Sequence, residues 1–153
     1  MEELALLRRE IPDCAVTTDL IVGFPTETEE EFAQTLSLVK EADFASAFTF
    51  VYSPRTGTKA AQMEGQIPEE VSKDRLTRLI EQVNEQTRQK SAQYVGKTCE
   101  ILCEGYDEKK ELYLGRDEYG RMGYFESERN PIGEFVTLKI NRANGISLYG
   151  EKI

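Results

Sequence analysis

The chain has 153 residues, with 19 Lys plus Arg against 28 Asp plus Glu, no His and no Trp, for a net charge of −9. Its length fits one ordinary domain, or one small domain joined to part of a larger one, and its 39% apolar content excludes a disordered chain. Without His there is no Ser-His-Asp, Cys-His or His-bearing zinc chemistry within the chain, and the acidic balance argues against a general polyanion binder while leaving room for a local basic patch.

Residues 1–10 (MEELALLRRE) are helix-like, with Leu4, Leu7 and Ile11 at helical spacing and Pro12-Asp13 as the stop. This opening has no basic stretch followed by an apolar one, which predicts no signal peptide, and no run approaches the roughly 18 apolar residues of a membrane span. Residues 15–22 (AVTTDLIV) read as a strand buried on both faces, as in a parallel sheet, broken by Gly23-Phe24-Pro25. Thr28 and Glu31 form an S/T-x-x-E capping box that opens a helix with Phe32, Leu36 and Val39 as its apolar stripe. Residues 44–52 (FASAFTFVY) read as a second buried strand, completing a βαβ unit with the expected parallel pairing.

A loop over 53–65 leads to a long helix from Pro68 to about Tyr94, with Leu76, Leu79, Ile80 and Val83 as its buried stripe and Thr87 continuing the spacing. From about Val95 short apolar runs alternate with Gly and charge, and turn signals recur often enough to predict a small all-β barrel or sandwich. The division is therefore an α/β piece over 1–94, with 10 basic and 17 acidic residues (10 − 17 = −7), and a β module over 95–153, with 9 and 11 (9 − 11 = −2). Two parallel strands would leave long edges, so 1–94 reads as the C-terminal end of a larger barrel or doubly wound sheet.

The cysteines are Cys14, Cys99 and Cys103, an odd number that points to a reduced, cytoplasmic chain. On a strand, CEILC places Cys99 and Cys103 about 13 Å apart on one face, too far to share a small metal centre, so a structural role is expected.

Three stretches taken together resemble a known family: TTDLIVGFPTETEEEF (17–32), SAFTFVYSPRTGTKAA (46–61), and IPEEVSKDRLTRLIEQVNEQ (67–86) followed by VGKTCEILCEG (95–105). They are similar to the C-terminal half of the radical SAM methylthiotransferases, which join a partial TIM barrel to a small β module called TRAM. The phrase SAFTFVYSPRTGT looks most like the tRNA (MiaB-type) branch, which adds a methylthio group to carbon 2 of an isopentenylated adenine beside the anticodon. GRDEYGRMGYF (115–125) resembles that branch's GRT-x-x-NR-x-V-x-F pattern through Gly115, Arg116, Arg121 and Phe125; Asp117 and Gly120 depart from it. Thr26 departs from the usual Gly of GFPGET, and Lys59 from a common Pro.

The resemblance implies S-adenosylmethionine (SAM) and [4Fe–4S] clusters as cofactors. The family's C-x-x-x-C-x-x-C loop is absent from these residues, so the resemblance implies cluster ligands elsewhere and an inactive chain on its own, with the N-terminal part of the enzyme as a partner.

Candidate sites follow. Gly23, Phe24 and Pro25 leave the first strand at its C-terminal end, the ligand side of a parallel barrel, and the resemblance assigns them to the SAM side of the cleft. Tyr52, Ser53 and Arg55 leave the second strand at the same end, and Arg55 suits a carboxylate or phosphate; the plainer alternative pairs it with Glu27. In the β module Lys97, Arg116, Arg121, Tyr119, Tyr124 and Phe125 interleave cations and rings in the manner of an RNA surface for an anticodon loop, although alternating aromatics also build a small core. Two other functions stay open: a non-catalytic RNA-binding module, and the sister enzyme that modifies an aspartate of a ribosomal protein.

Overall fold

A computed structural model describes residues 1–12 and 14–153; Asp13, part of the predicted helix stop, lies outside the described residues. The chain divides into two units, Met1–Gln86 and Thr87–Ile153.

The first unit holds helix α1 (Glu2–Glu10), strand β1 (Thr17–Val22), helix α2 (Glu29–Ala42), strand β2 (Ser46–Val51) and most of helix α3 (Glu69–Ala92). The β1 and β2 strands pair in parallel, from Thr17 opposite Ser46 to Val22 opposite Val51. The capping box forms as the sequence predicts: Glu31 N donates to Thr28 Oγ1 at 3.1 Å, and Thr28 N donates to the Glu31 carboxylate at 2.8 Å. A small core gathers Val22, Phe32, Val39 and Leu79, with Leu20, Leu36, Val51, Leu76 and Val83 packed around it.

Three expectations change. Burial of β1 and β2 alternates instead of running along both faces: Ile21, Phe48 and Phe50 are exposed, Phe48 by 67%. The core covers one side of the pair, and the apolar residues on the other side are exposed. Ile80 is exposed, because the buried line on α3 follows Leu76, Leu79 and Val83. Helix α1 buries none of its residues and Ile11 is exposed; the helix is tied down by Arg8, whose guanidinium donates to the carbonyls of Ala42 and Asp43.

The second unit closes on itself. Strands β3 (Thr98–Asp107), β4 (Leu112–Arg116), β5 (Met122–Phe125), β6 (Phe135–Asn144) and β7 (Ser147–Lys152) form a closed barrel in the order β3-β4-β5-β7-β6. Every pairing is antiparallel except β5 with β7. Closure removes the open edges that a short sheet would present. Period-two alternation sends Ile101, Cys103, Phe125, Val136, Leu138, Ile140 and Leu148 into one core. Bulges fall at Cys103/Gly105 on β3 and at Ile140/Arg142 on β6, where a small barrel has to bend.

One glycine of the GRDEYGR stretch is required by this geometry. Gly115 sits opposite Cys103, and a Cβ there would lie 2.8 Å from Cys103 Cα and closer still to the Leu102 carbonyl, both backbone and unable to yield.

Candidate functional site

The first candidate site lies where the parallel strands end. Gly23 follows β1 with φ +74°, and a Cβ on it would meet Ser72 Cβ at 2.9 Å, so only glycine fits the backbone and the packing. Its N–H donates to Glu27 Oε2 at 2.7 Å. The same carboxylate receives Arg75 Nη1 at 2.8 Å, and that Nη1 also donates to the Glu27 carbonyl at 2.9 Å. Both side chains are nearly buried, 6% exposed for Arg75 and 11% for Glu27. Arg75 and Arg78 reach Glu29, and the Arg78 guanidinium holds the Glu29 carboxyl below its ordinary pKa. The loop is thus locked onto α3 by an arginine that lies outside the apolar stripe read from the sequence. Glu27 pairs with Arg75, so the plainer alternative in which Arg55 pairs with Glu27 does not form.

That lock leaves Arg55 exposed, with no ion pair or hydrogen bond to its guanidinium among the described residues. Ser53 is exposed. Phe24 and Tyr52, from the two strand ends, meet edge to face with ring centroids 5.1 Å apart. The Tyr52 hydroxyl is shielded from solvent and has no hydrogen-bond partner among the described residues. Such a group is costly to leave unpaired, which marks this strand end as a place that a polar ligand atom would complete. Pro25 is fully buried and presents no surface to a ligand.

The departures from the family pattern have local explanations here. Thr26 has φ +72°, a left-handed backbone that suits the Gly of GFPGET and strains a β-branched residue. Lys59 has φ −59°, within the range that proline fixes. Gly120 has φ +77°, a conformation that Gly and Asn both favour. Asp117, where the pattern has Thr, accepts from the N–H groups of Tyr119 and Arg121, each at 2.9 Å, as a turn-forming side chain does.

In the barrel the expected RNA contacts separate. Arg121 is held by Asp117 at 2.6 Å, and its guanidinium lies 3.8 Å from the Tyr94 ring centre and 4.7 Å from that of Tyr119. Arg116 is exposed and paired with Glu104 at 3.0 Å. Lys97 is exposed, 5.3 Å from the Tyr94 ring centre. Phe125, 1% exposed, lies in the barrel core beside Tyr113, because the β5 alternation turns it inward; its ring is not offered to a base. Tyr124 points away from the barrel core but is only 8% exposed, covered by Tyr149, on which it stacks with centroids 5.1 Å apart and planes at 16°; its ring is therefore not the open RNA-stacking surface the sequence suggested. Lys110 and Arg142 cap this pair, and sequence reasoning missed both, along with Tyr149; the only trace is that all three stand on the barrel strands or their turns. Contact with Tyr124, and then with Asp107, raises the Lys110 pKa.

Cys99 and Cys103 sit on the inward face of β3, and burial pushes both thiols above their ordinary pKa. Cys14 is exposed. Among the described residues, no three His, Cys, Asp or Glu side chains gather where they could hold a metal ion. No described helix is long and apolar enough to cross a membrane.

Residues 92–153 match the TRAM domain family. The chain is 47% identical, over all of its length and 34% of the relative's, to the tRNA-2-methylthio-N(6)-dimethylallyladenosine synthase of Clostridium botulinum (strain Langeland / NCTC 10281 / Type F). Proteins of the same name from Caldicellulosiruptor saccharolyticus and Clostridium perfringens are 46% and 47% identical, over 96% and 95% of the chain and 31% and 33% of their own lengths. The chain spans about a third of the length of the curated relatives it matches. By sequence it corresponds over its whole length to the C-terminal third of the tRNA-2-methylthio-N(6)-dimethylallyladenosine synthases, with a TRAM domain at its C-terminal end.

Proposed function

We propose that the chain is the C-terminal part of a cytoplasmic tRNA methylthiotransferase, a radical SAM enzyme that adds a methylthio group to carbon 2 of isopentenyl-adenosine next to the anticodon. The observation that carries this reading is the match along the entire chain to synthases named for that product. In this reading residues 1–94 are the end of the radical SAM barrel, and 95–153 the TRAM-like barrel that meets tRNA at the anticodon loop. The open apolar side of the β1–β2 pair supports it, since Ile21, Phe48 and Phe50 are side chains that further barrel strands from the N-terminal part of the enzyme would cover.

The residues fit one of the two implied cofactors. Cys14, Cys99 and Cys103 do not fit an iron–sulfur cluster: Cys99 and Cys103, half-buried and buried, are four residues apart on one strand of the barrel, Cys14 is exposed in the other unit, and no three-ligand group forms among the described residues. The clusters therefore take their ligands outside this chain, and no step is assigned to it through them. The strand end does fit the amino-acid portion of SAM. Arg55 offers an unpaired guanidinium to its carboxylate, the Tyr52 hydroxyl is an unused hydrogen-bonding group, and Phe24 gives an apolar ring beside Tyr52. When bound, SAM supplies the transferred methyl group. The chain's own part is to bind and orient it; Ser53 adds an exposed hydroxyl and Gly23 keeps the loop close to α3.

The test uses the complete enzyme containing this segment in a strain that lacks the activity. Mass spectrometry of tRNA hydrolysates is expected to show 2-methylthio-isopentenyladenosine restored, and an Arg55→Ala form is expected to need more SAM. Accumulation of unmodified isopentenyladenosine with the wild-type enzyme, or a mass shift on a ribosomal protein instead, would overturn the proposal.

A further inference from the structure

The barrel carries four arginines, and three are held by carboxylates: Arg116 by Glu104, Arg121 by Asp117 and Arg129 by Glu134. Arg142 is different. It is exposed, it has no carboxylate partner among the described residues, and its guanidinium lies 4.0 Å from the Tyr149 ring centre. Tyr149 stacks on Tyr124, and Lys110 Nζ sits 3.9 Å from the centre of the Tyr124 ring. The four side chains make a cation–ring–ring–cation cluster on the side of the strands away from the core, in which Tyr124 is buried at 8% exposure, Tyr149 is half-buried, and Arg142 and Lys110 form the exposed surface.

The backbone holds this cluster in place. Tyr124 and Tyr149 are register partners in the parallel β5–β7 pair, and Arg142 is the partner of Tyr149 across β6–β7. Their chain neighbours Phe125 and Leu148 point inward into the core, so the rings project outward. The Ile140/Arg142 bulge lets the strand bend where Arg142 stands. Two carboxylates lie near: Asp107 pairs with Lys110 at 3.2 Å, and Glu151 accepts from Asn141 at 3.4 Å. Neither engages Arg142.

We infer that this face, with Arg142 stacked on Tyr149 at its head, is the contact surface for a single-stranded RNA loop. The inference rests on the tRNA reading above and moves the expected barrel contacts from Arg121 and Phe125 to Arg142, Tyr149 and Lys110, with Tyr124 as the buried support beneath them. A guanidinium held over an aromatic ring and unpaired with a carboxylate keeps its planar fork available to phosphate, and its plane can stack on an unstacked base. Arg121 has its fork taken by Asp117, and Phe125 is inside; Arg142 has neither limitation. Lys110 adds a second positive charge on the same ring pair.

The test titrates the whole 153-residue chain with a fluorescently labelled RNA hairpin bearing an unpaired loop, at several salt concentrations. The expected result is that Arg142→Ala weakens binding about tenfold and lowers the salt slope by about one phosphate contact. Arg142→Lys keeps the slope but loses affinity, since an ammonium cannot stack as a plane. Arg129→Ala, which removes an arginine already committed to Glu134, leaves affinity within about twofold of wild type. Thermal melts of each variant confirm that the barrel stays folded. Wild-type binding that is insensitive to Arg142→Ala would overturn this surface and leave the tRNA reading standing. A wild-type chain that does not bind the hairpin at all would count against the barrel as an RNA module, and this inference would fall with it.

Discussion

The two units solve the same problem of burying apolar surface in opposite ways. The barrel of Thr87–Ile153 closes five short strands on a core of seven buried residues and leaves no strand edge unpaired. The α/β unit of Met1–Gln86 has one parallel strand pair, covers one side of it, and leaves Ile21, Phe48 and Phe50 in solvent on the other. It compensates at the strand end, where Arg75, Glu27 and the Gly23 N–H make a nearly buried polar lock. Closure makes backbone fit the most sensitive property of the barrel, whereas incompleteness makes a few polar contacts matter most in the α/β unit.

The largest effect expected from this contrast is at Gly115. Gly115→Ala drives a methyl group into the β3 backbone and is expected to cost about 4 kcal/mol or to abolish the barrel. Gly105→Ala, in open space on the same strand, should cost less than about 1 kcal/mol. Urea denaturation followed by near-ultraviolet tyrosine dichroism measures both, and equal costs would break the argument from closure.

Next is Arg75→Ala, which strands the Glu27 carboxylate beside an apolar core. A loss of about 3 kcal/mol is expected in the first unit alone. Amide exchange resolved along the chain reads it: protection should fall over β1 and α2 and persist over β3 to β7.

A smaller change runs in the other direction. Thr26→Gly relieves a β-branched residue at φ +72° and is expected to stabilise the first unit by about 0.5–1 kcal/mol, net of the greater freedom of glycine in the unfolded chain. Unchanged protection at the strand end would mean that the loop bears no strain.

The smallest effect concerns pH. Burial raises the Cys99 and Cys103 thiols in the folded barrel, so the unfolded chain releases those protons at lower pH. Above about pH 8.5 the unfolded state binds fewer protons than the native one, and barrel stability should fall as pH rises through the thiol range. The same contrast predicts that exposed Cys14 is alkylated before Cys99 and Cys103. Stability flat from pH 7 to about 10 would remove the thiols from the balance.

Local patterns carried the elements. The Thr28–Glu31 box started a helix where it was read, because capping involves residues three apart. The Phe32, Leu36 and Val39 stripe found its core, and the alternating runs after Val95 became strands. Spacing could not reveal which face of a strand a neighbour covers, so apolar β1 and β2 read as wholly buried although half their side chains meet solvent. Nor could it reveal partners distant in sequence: Arg75 and Glu27 are 48 residues apart.

The sequence by itself determined the order of elements, the change of character near residue 95 and the family likeness, since these rest on periodicity and on contiguous motifs. Tertiary structure alone decided which cations were free. Arg121 and Arg142 are each one basic residue of the β module; the fold sets a carboxylate as well as two tyrosine rings against the first and an aromatic ring alone against the second. The physical reason is that a charge's availability depends on what lies within about 4 Å of it in space: for Arg121 that is Asp117 across its own turn, and for Arg142 it is Tyr149 on the neighbouring strand.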